Sequence, residues 1–429
     1  MQKFSSMEEK FNILEQYNFW TEKNLSVGFV RNLYIRKINQ FIGNRLIKVL
    51  VGQRRVGKSF LLRQIATTLV QKGTNRKNVF MLNMDISAFD FISSYKELQE
   101  IFNLYLQKLK PEGRVYIFID EIQNIEGWEK FVNSYSQDYR NEYEIFITGS
   151  NSKMLSSELA TLLSGRYVKF EVFPFSFSEY CGITNQEETK SSYLNYMKKG
   201  GIPELFNLEG EEVERNYVST LKDTILLRDI MQRNNIKDVK LLEDLFIYLV
   251  NNTSSLFSVN NIVNYYKSKG KKVSYDTIAL YLSYIQDTFL IHKTDRYNLK
   301  GKDILSGVCK YYVNDLAFEH YLFRGIHHGI GYNLENLQYL DLRRSGYEVY
   351  VGNIKNKEVD FVAIKQGRII YVQSAYMLVD DNTIEREYSV LESINDNYEK
   401  YVVSLDDIPL RSKGGIQNIP AWQFYKVIE

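Results

Sequence analysis

The chain has 429 residues, 44% hydrophobic and 25% charged, a composition that fits a globular protein with more than one core. A net charge of +2 supplies no overall basic field for nucleic acid, and two distant cysteines, Cys181 and Cys309, argue against a disulfide framework or a thiolate zinc site. Met1–Lys10 lacks the apolar stretch of a secretion signal and no run of about 18 apolar residues occurs, so a cytoplasmic protein without a membrane contact is expected.

In chain order, the first informative element is the apolar run Ile47-Lys48-Val49-Leu50-Val51, read as a buried strand. Gly52-Gln53-Arg54-Arg55-Val56-Gly57-Lys58-Ser59 follows at once, and the helical segment from Phe60 to Ala66 comes next. Strand, GxxxxGK[ST] loop and helix together form a phosphate-binding loop. Backbone N–H groups from Arg55 to Ser59 are expected to converge on a phosphate at the helix N-terminus, where unpaired amides and the helix dipole favour an anion. Gly52, Arg55, Val56, Gly57, Lys58, Ser59 and Phe60 are the expected ATP-binding positions. Lys58 would reach the β- and γ-phosphates, and Ser59 would ligate Mg²⁺.

Further on, Arg114–Glu121 reads as an apolar strand ending in two acids. Asp120 is placed to hold Mg²⁺ and Glu121 to polarise the attacking water. A third strand, Tyr143–Ile147, ends in Thr148-Gly149-Ser150-Asn151-Ser152. Ser150 or Asn151 either orients the water or caps the next helix, and Asn151 is the catalytic candidate of the two. Arg166 precedes a strand at 168–172; it either neutralises charge developing on the γ-phosphate, in its own or a neighbouring subunit, or makes an ion pair.

The order GQRRVGKS, IFIDEIQNIEGWEKF, ITGSNS, LSGR and FPFSFSEY resembles the bacterial and archaeal AAA-type ATPase family related to the STAND NTPases. Glu121-Ile122-Gln123, Trp128 and Gly200-Gly201-Ile202-Pro203 belong to that signature. The resemblance implies a helical lid behind the nucleotide, with Pro203 against the base; the alternative is a tight turn that starts a helix. Between Ser258 and Val313 the order of helices, turn and strands reads as a winged helix, with Lys269, Lys271, Lys272 and Tyr275 facing either DNA or a protein partner.

The last hundred residues resemble the PD-(D/E)XK restriction-endonuclease-like fold. Asp360 and Glu335 suit its metal-binding carboxylates, but Gln373 stands for the second acid and Ala375 for the lysine, so cleavage is expected to be lost unless Lys365 substitutes from the neighbouring strand. His327 and His328 read as surface residues, since adjacent side chains on an extended chain face opposite ways.

The expected fold is therefore α/β: a P-loop NTPase parallel sheet at 1–185, a helical lid at 186–255, a winged helix at 256–314 and a degenerate restriction-endonuclease-like domain at 315–429. The expected activity is Mg²⁺-dependent ATP hydrolysis that switches the lid and winged helix. Two alternatives stay open, a STAND-like nucleotide-controlled switch without DNA and an ATP-gated nuclease with a migrated lysine. ATP or ADP, DNA, a protein partner and further copies of the chain are the candidate partners.

Overall fold

Five parallel strands, β1 (Ile47–Val51), β2 (Val79–Asn83), β3 (Val115–Asp120), β4 (Tyr143–Gly149) and β5 (Tyr167–Glu171), lie in the order β2-β3-β4-β1-β5. The computed structural model describes residues 6–21, 26–150, 163, 165–323, 329–354 and 357–429. Every residue of β1 and β3 is buried, the pattern of parallel strands covered on both faces. Burying β1 also buries Lys48, whose ammonium pairs with Glu144 on β4 and donates to Asn44, so the charge inside the apolar run is compensated within the sheet.

The helices of this region are α1 (Met7–Tyr17), α2 (Asn32–Asn39), α3 (Lys58–Gln71), α4 (Tyr95–Leu109) and α5 (Trp128–Ser136). Ser6 with Glu9, and Ser94 with Glu97, form capping boxes that start α1 and α4. Just past α1, buried Asn18 accepts from the Met81 N–H at 2.6 Å and donates to the Met81 carbonyl at 3.0 Å, while the Trp20 indole donates to Val79 at 2.7 Å. The N-terminal segment thus satisfies the open edge of β2.

Packing divides the chain once, into Met1–Val172 and Phe173–Glu429. The second unit contains α6 (Phe177–Thr184), α7 (Lys190–Lys199), α8 (Glu211–Asp223), which runs into a π-helical stretch at Thr224–Gln232, and α9 (Val239–Asn251). Strand β6 (Leu256–Phe257), α10 (Val259–Ser268), α11 (Tyr275–Asp287) and the antiparallel pair β7 (Ile291–Asn298) and β8 (Asp303–Val313) follow. The remaining elements are α12 (Ala317–Leu322), α13 (Ile330–Arg344), β9 (Glu348–Ile354), β10 (Lys357–Lys365), β11 (Arg368–Ala375), α14 (Asp381–Glu392), β12 (Glu399–Ser404), β13 (Ile416–Pro420) and α15 (Phe424–Ile428).

Boundaries expected near 185, 255 and 314 are not breaks in packing. Strands β6 to β13 form one eight-stranded sheet in the order β13-β12-β11-β10-β9-β7-β8-β6, and a single apolar cluster runs from Phe173 to Ile428. The physical reason is the β7–β9 pairing, Arg296–Asn298 against Val351–Asn353, which joins the hairpin to the tail across the expected boundary at 314.

Candidate functional site

The loop between β1 and α3 is shaped by backbone conformations that few residue types tolerate. Gly52 has φ +150 and a Cβ there would lie 2.2 Å from the Val172 carbonyl oxygen, so only glycine lets β1 leave the sheet this close to the chain after β5. Arg55 (φ 68) and Gly57 (φ 93) are left-handed, turning successive N–H groups to one side as in an anion nest. Gly57 is also the N-cap of α3 and offers no side-chain cap, which leaves the first-turn amides to an external acceptor.

Lys58 is 4% exposed and donates to the carbonyls of Gly52 at 2.9 Å and Gln53 at 3.0 Å, curling back over the loop. Its ammonium is 3.9 Å from the Glu121 carboxylate. Asp120 ends β3 and Glu121 takes the next position with φ 52, a strained conformation for a non-glycine residue that aims its side chain back at the loop. The end of β4 contributes Thr148, which donates to Asp120 and accepts the Glu121 N–H at 3.0 Å. Ser59 lines the same cavity as Asp120 and lies close enough to favour its carboxylate form. Burial, and then Glu121, push the Asp120 carboxyl up to about 6 against the pull of Ser59, Thr148 and Lys58. Burial acts upward on Glu121 too, but Lys58, the Gln123 hydrogen bond and Arg54 outweigh it and hold this carboxyl below its ordinary value.

Gly52, Arg55, Val56, Gly57, Lys58, Ser59, Asp120 and Glu121 are therefore assembled at the C-terminal edge of the parallel sheet, where the sequence places them. Phe60 stands in the first turn of α3, half exposed, with the Arg63 guanidinium over its ring. Buried Ser150 lies beside Glu121 without a well-formed hydrogen bond to it. Asn151, like His327 and His328, lies outside the described residues.

Arg166 does not meet the phosphate-binding loop of its own chain, contrary to expectation. It is exposed and its carbonyl accepts from Ile47, the first residue of β1, so it sits at the opposite end of the sheet from the loop. Five strand residues separate the two ends by about 16 Å. Pro203 belongs to the second unit, where it opens a short turn, Pro203–Asn207. The glycines before it are held by Asp315, which accepts from the N–H of Gly201 and of Ala317 at 2.8 Å each. A Cβ on Gly200 would lie 2.0 Å from the Asp315 carboxylate, so this glycine pair serves close packing within the second unit.

Sequence reasoning missed three polar groups at the site. Thr148 had a signal, being the first polar residue after an apolar strand. Gln123, which donates to Glu121, lay inside the recognised signature. Arg63 faces a cavity of about 260 Å³ lined also by Ser59 and Asp120, and its signal was its place four residues after Ser59 on one helix.

In the tail, Glu335 on α13 and Asp360 on β10 do come together, but with a cation from an unforeseen strand. Lys310 on β8 is 2.9 Å from Glu335, 2.7 Å from Glu358 and 3.8 Å from Asp360. Tyr312 donates to Glu335 at 2.8 Å, and Gln373 donates to Glu387 at 3.0 Å. Burial alone would lower Lys310; the three carboxylates reverse this and raise it. Lys365 lies over the Tyr347 ring. Among the described residues no group of three or more His, Cys, Asp or Glu is placed to hold a metal ion, and no helix is long and apolar enough to cross a membrane.

Residues 44–181 match a family described as AAA domain, and residues 190–327 match a domain of unknown function (DUF8612). An uncharacterized protein of Haemophilus influenzae is 34% identical over 380 residues, covering 87% of this chain and 92% of its own length. Another uncharacterized protein, from Methanocaldococcus jannaschii, is 30% identical over 424 residues, with coverages of 95% and 90%. The chain belongs to one family with these two proteins. Within that family it joins an AAA-type P-loop ATPase domain to a domain of unknown function. Among solved structures it is similar to a Walker-type ATPase of Pyrococcus abyssi, at 17% identity over 68% of this chain and 95% of that one, with a TM-score of 0.46.

Proposed function

We propose that the first unit hydrolyses ATP to ADP and phosphate with Mg²⁺. The observation that carries this reading is the convergence of Lys58, Ser59, Asp120, Glu121 and Thr148 on one edge of the sheet, from segments of the chain far apart in sequence. The donor set fits Mg²⁺: a hydroxyl and a carboxylate are hard oxygen ligands, and phosphate oxygens and water complete such sites. Bound there, Mg²⁺ would neutralise charge on the β- and γ-phosphates.

Each residue then has a defined task. The uncapped amides of α3 and Lys58 hold the phosphates. Thr148 fixes the Asp120 carboxylate and the Glu121 backbone together, so the metal ligand and the base keep one spacing. Glu121 accepts a proton as water attacks the γ-phosphorus and the bond to the bridging oxygen breaks. A role for Arg166 at these phosphates is open only to a neighbouring copy of the chain.

Glu121→Gln should lower turnover by about 10²–10⁴-fold while ATP still binds, whereas Lys58→Ala should lose nucleotide affinity. Wild-type turnover in Glu121→Gln would refute the assignment.

A second reading, a slow nucleotide-controlled switch, is favoured by one observation: Gln123 and Lys58 both engage the Glu121 carboxylate, occupying the base. In the second unit, the order β6-α10-α11-β7-β8 supports reading residues 256–314 as a winged helix. We read the Lys310 cluster as a buried ion cage, because an ammonium already stands among its carboxylates.

A further inference from the structure

Helices α9 and α10 leave a groove of about 580 Å³ between them on the second unit. Its chemistry differs from that of the phosphate-binding loop. Helix α9 buries one stripe, Leu241, Leu242, Leu245, Phe246, Leu249 and Val250, yet also turns Ile247 and Tyr248 outward, with Tyr248 37% exposed. From α10, Tyr265 is 53% exposed, far more than a tyrosine placed for packing needs. Lys240, Lys269 and Lys271 line the groove, and Lys237, Lys267 and Lys272 stand exposed next to them in sequence. Among the described residues none of these lysines forms an ion pair with a carboxylate; Lys269 and Lys271 lie instead over the rings of Tyr265 and Tyr266.

We propose that this groove binds single-stranded nucleic acid, with bases stacked on Tyr265 and Tyr248 and the backbone phosphates beside Lys240, Lys269 and Lys271. Exposed tyrosine rings set among unpaired lysines match what a single strand offers, a π-face on every base and a negative charge on every linkage. A duplex hides its base faces and would leave the rings unused. An acidic peptide would use the lysines, but Asp244 and the amides of Asn251 and Asn252 also line the groove. Asp244 repels any anion, phosphate or side-chain carboxylate alike, but it accepts from the exocyclic amino groups of cytosine, adenine or guanine, donors that acidic side chains lack. The groove is formed by α9, α10 and the turn after α10; it shares Lys269 and Lys271 with the DNA or partner contact expected from the sequence, adds Lys240, Tyr248 and Tyr265, and does not include Tyr275 at the start of α11.

This inference stands apart from ATP hydrolysis, so binding is measured without nucleotide and repeated in Lys58→Ala. Fluorescence anisotropy with labelled 20-mers of deoxycytidine and of cytidine should show binding by the full chain, from either strand type or both. Tyr265→Ala should weaken it about 5- to 150-fold, while Tyr265→Phe, which keeps the ring, should retain it. Reversing Lys240, Lys269 and Lys271 to Glu should abolish binding, and neutralising each should reduce the salt slope by about 0.7. Folding of each variant is checked by circular dichroism and by unchanged ATP binding. The proposal is overturned if wild type binds neither strand, if Tyr265→Ala and the Lys→Glu changes leave binding intact, if a duplex of the same length binds more tightly, or if a poly-glutamate peptide displaces the strand at lower concentration than unlabelled strand does.

Discussion

Replacing Lys310 with methionine removes an ammonium from the interior while nearly keeping its length. Lys310 is 4% exposed and lies within 4 Å of Glu335, Glu358 and Asp360. Removing one partner of a buried ion pair costs about 3–5 kcal/mol, because the other charge is left uncompensated. Glu335 and Asp360 bear that cost, whereas Glu358 is nearly a third exposed and solvent screens it. The carboxylates can escape by taking up protons. Burial already raises Glu335, and burial with Glu335 raises Asp360 well above the carboxylate range; loss of the ammonium raises both further. A carboxyl whose folded pKa exceeds its unfolded value binds more protons in the folded state. Its stability contribution is therefore full below the unfolded value near 4 and is lost as pH rises through the folded one. The deficit of Lys310→Met relative to wild type should thus be about 3–5 kcal/mol at pH 8 and at least halve by about pH 5. Hydrogen exchange followed by mass spectrometry reads it directly, as about 10²–10⁴-fold faster exchange at pH 8 in peptides from β8, α13 and β10. Adding Glu335→Gln to Lys310→Met should recover part of the loss. A deficit equal at both pH values and not eased by Glu335→Gln would show that packing, and not charge, holds Lys310 in place. The wild type with Mg²⁺ should leave supercoiled plasmid intact, and nicking that disappears in Asp360→Ala would refute the ion cage.

Thr148→Val keeps the shape of the side chain but removes one bond to Asp120 and one from the Glu121 N–H, so turnover should fall about 10- to 100-fold with little change in ATP affinity, measured as kcat against KM. An equal loss in affinity would place Thr148 in binding instead. Asp315 is raised to about 6, first by burial, so wild-type stability should decline by about 2 kcal/mol as pH rises from 4 to 6 through this group. Asp315→Asn should flatten that segment of the stability profile, read by denaturant midpoints of the second unit, and an unchanged slope would assign the decline to other groups.

The phosphate-binding loop and the acids of β3 were legible because each is contiguous: Gly52 to Ser59 and Asp120-Glu121 carry their own backbone instructions, and the apolar runs before them fix which sheet edge they reach. Sequence alone therefore determined the phosphate-binding loop, the acids at the end of β3 and the α/β class of the first unit. Proximity between distant segments was not written locally. Thr148 reaches Asp120 only because β4 pairs beside β3, and Arg166 misses the loop because β5 runs parallel to β1, which sends the residue before it to the far end. In the tail, the acids Glu335 and Asp360 were readable, while the cation that stands among them comes from Lys310, on a strand whose register no local pattern fixes. Likewise the π-helical stretch at Thr224–Gln232 breaks the 3.6-residue period on which a face could be read. One pairing, β7 with β9, merges the expected winged helix and tail into a single sheet, because burying two half-covered sheets against one core removes more apolar surface from water than leaving them apart.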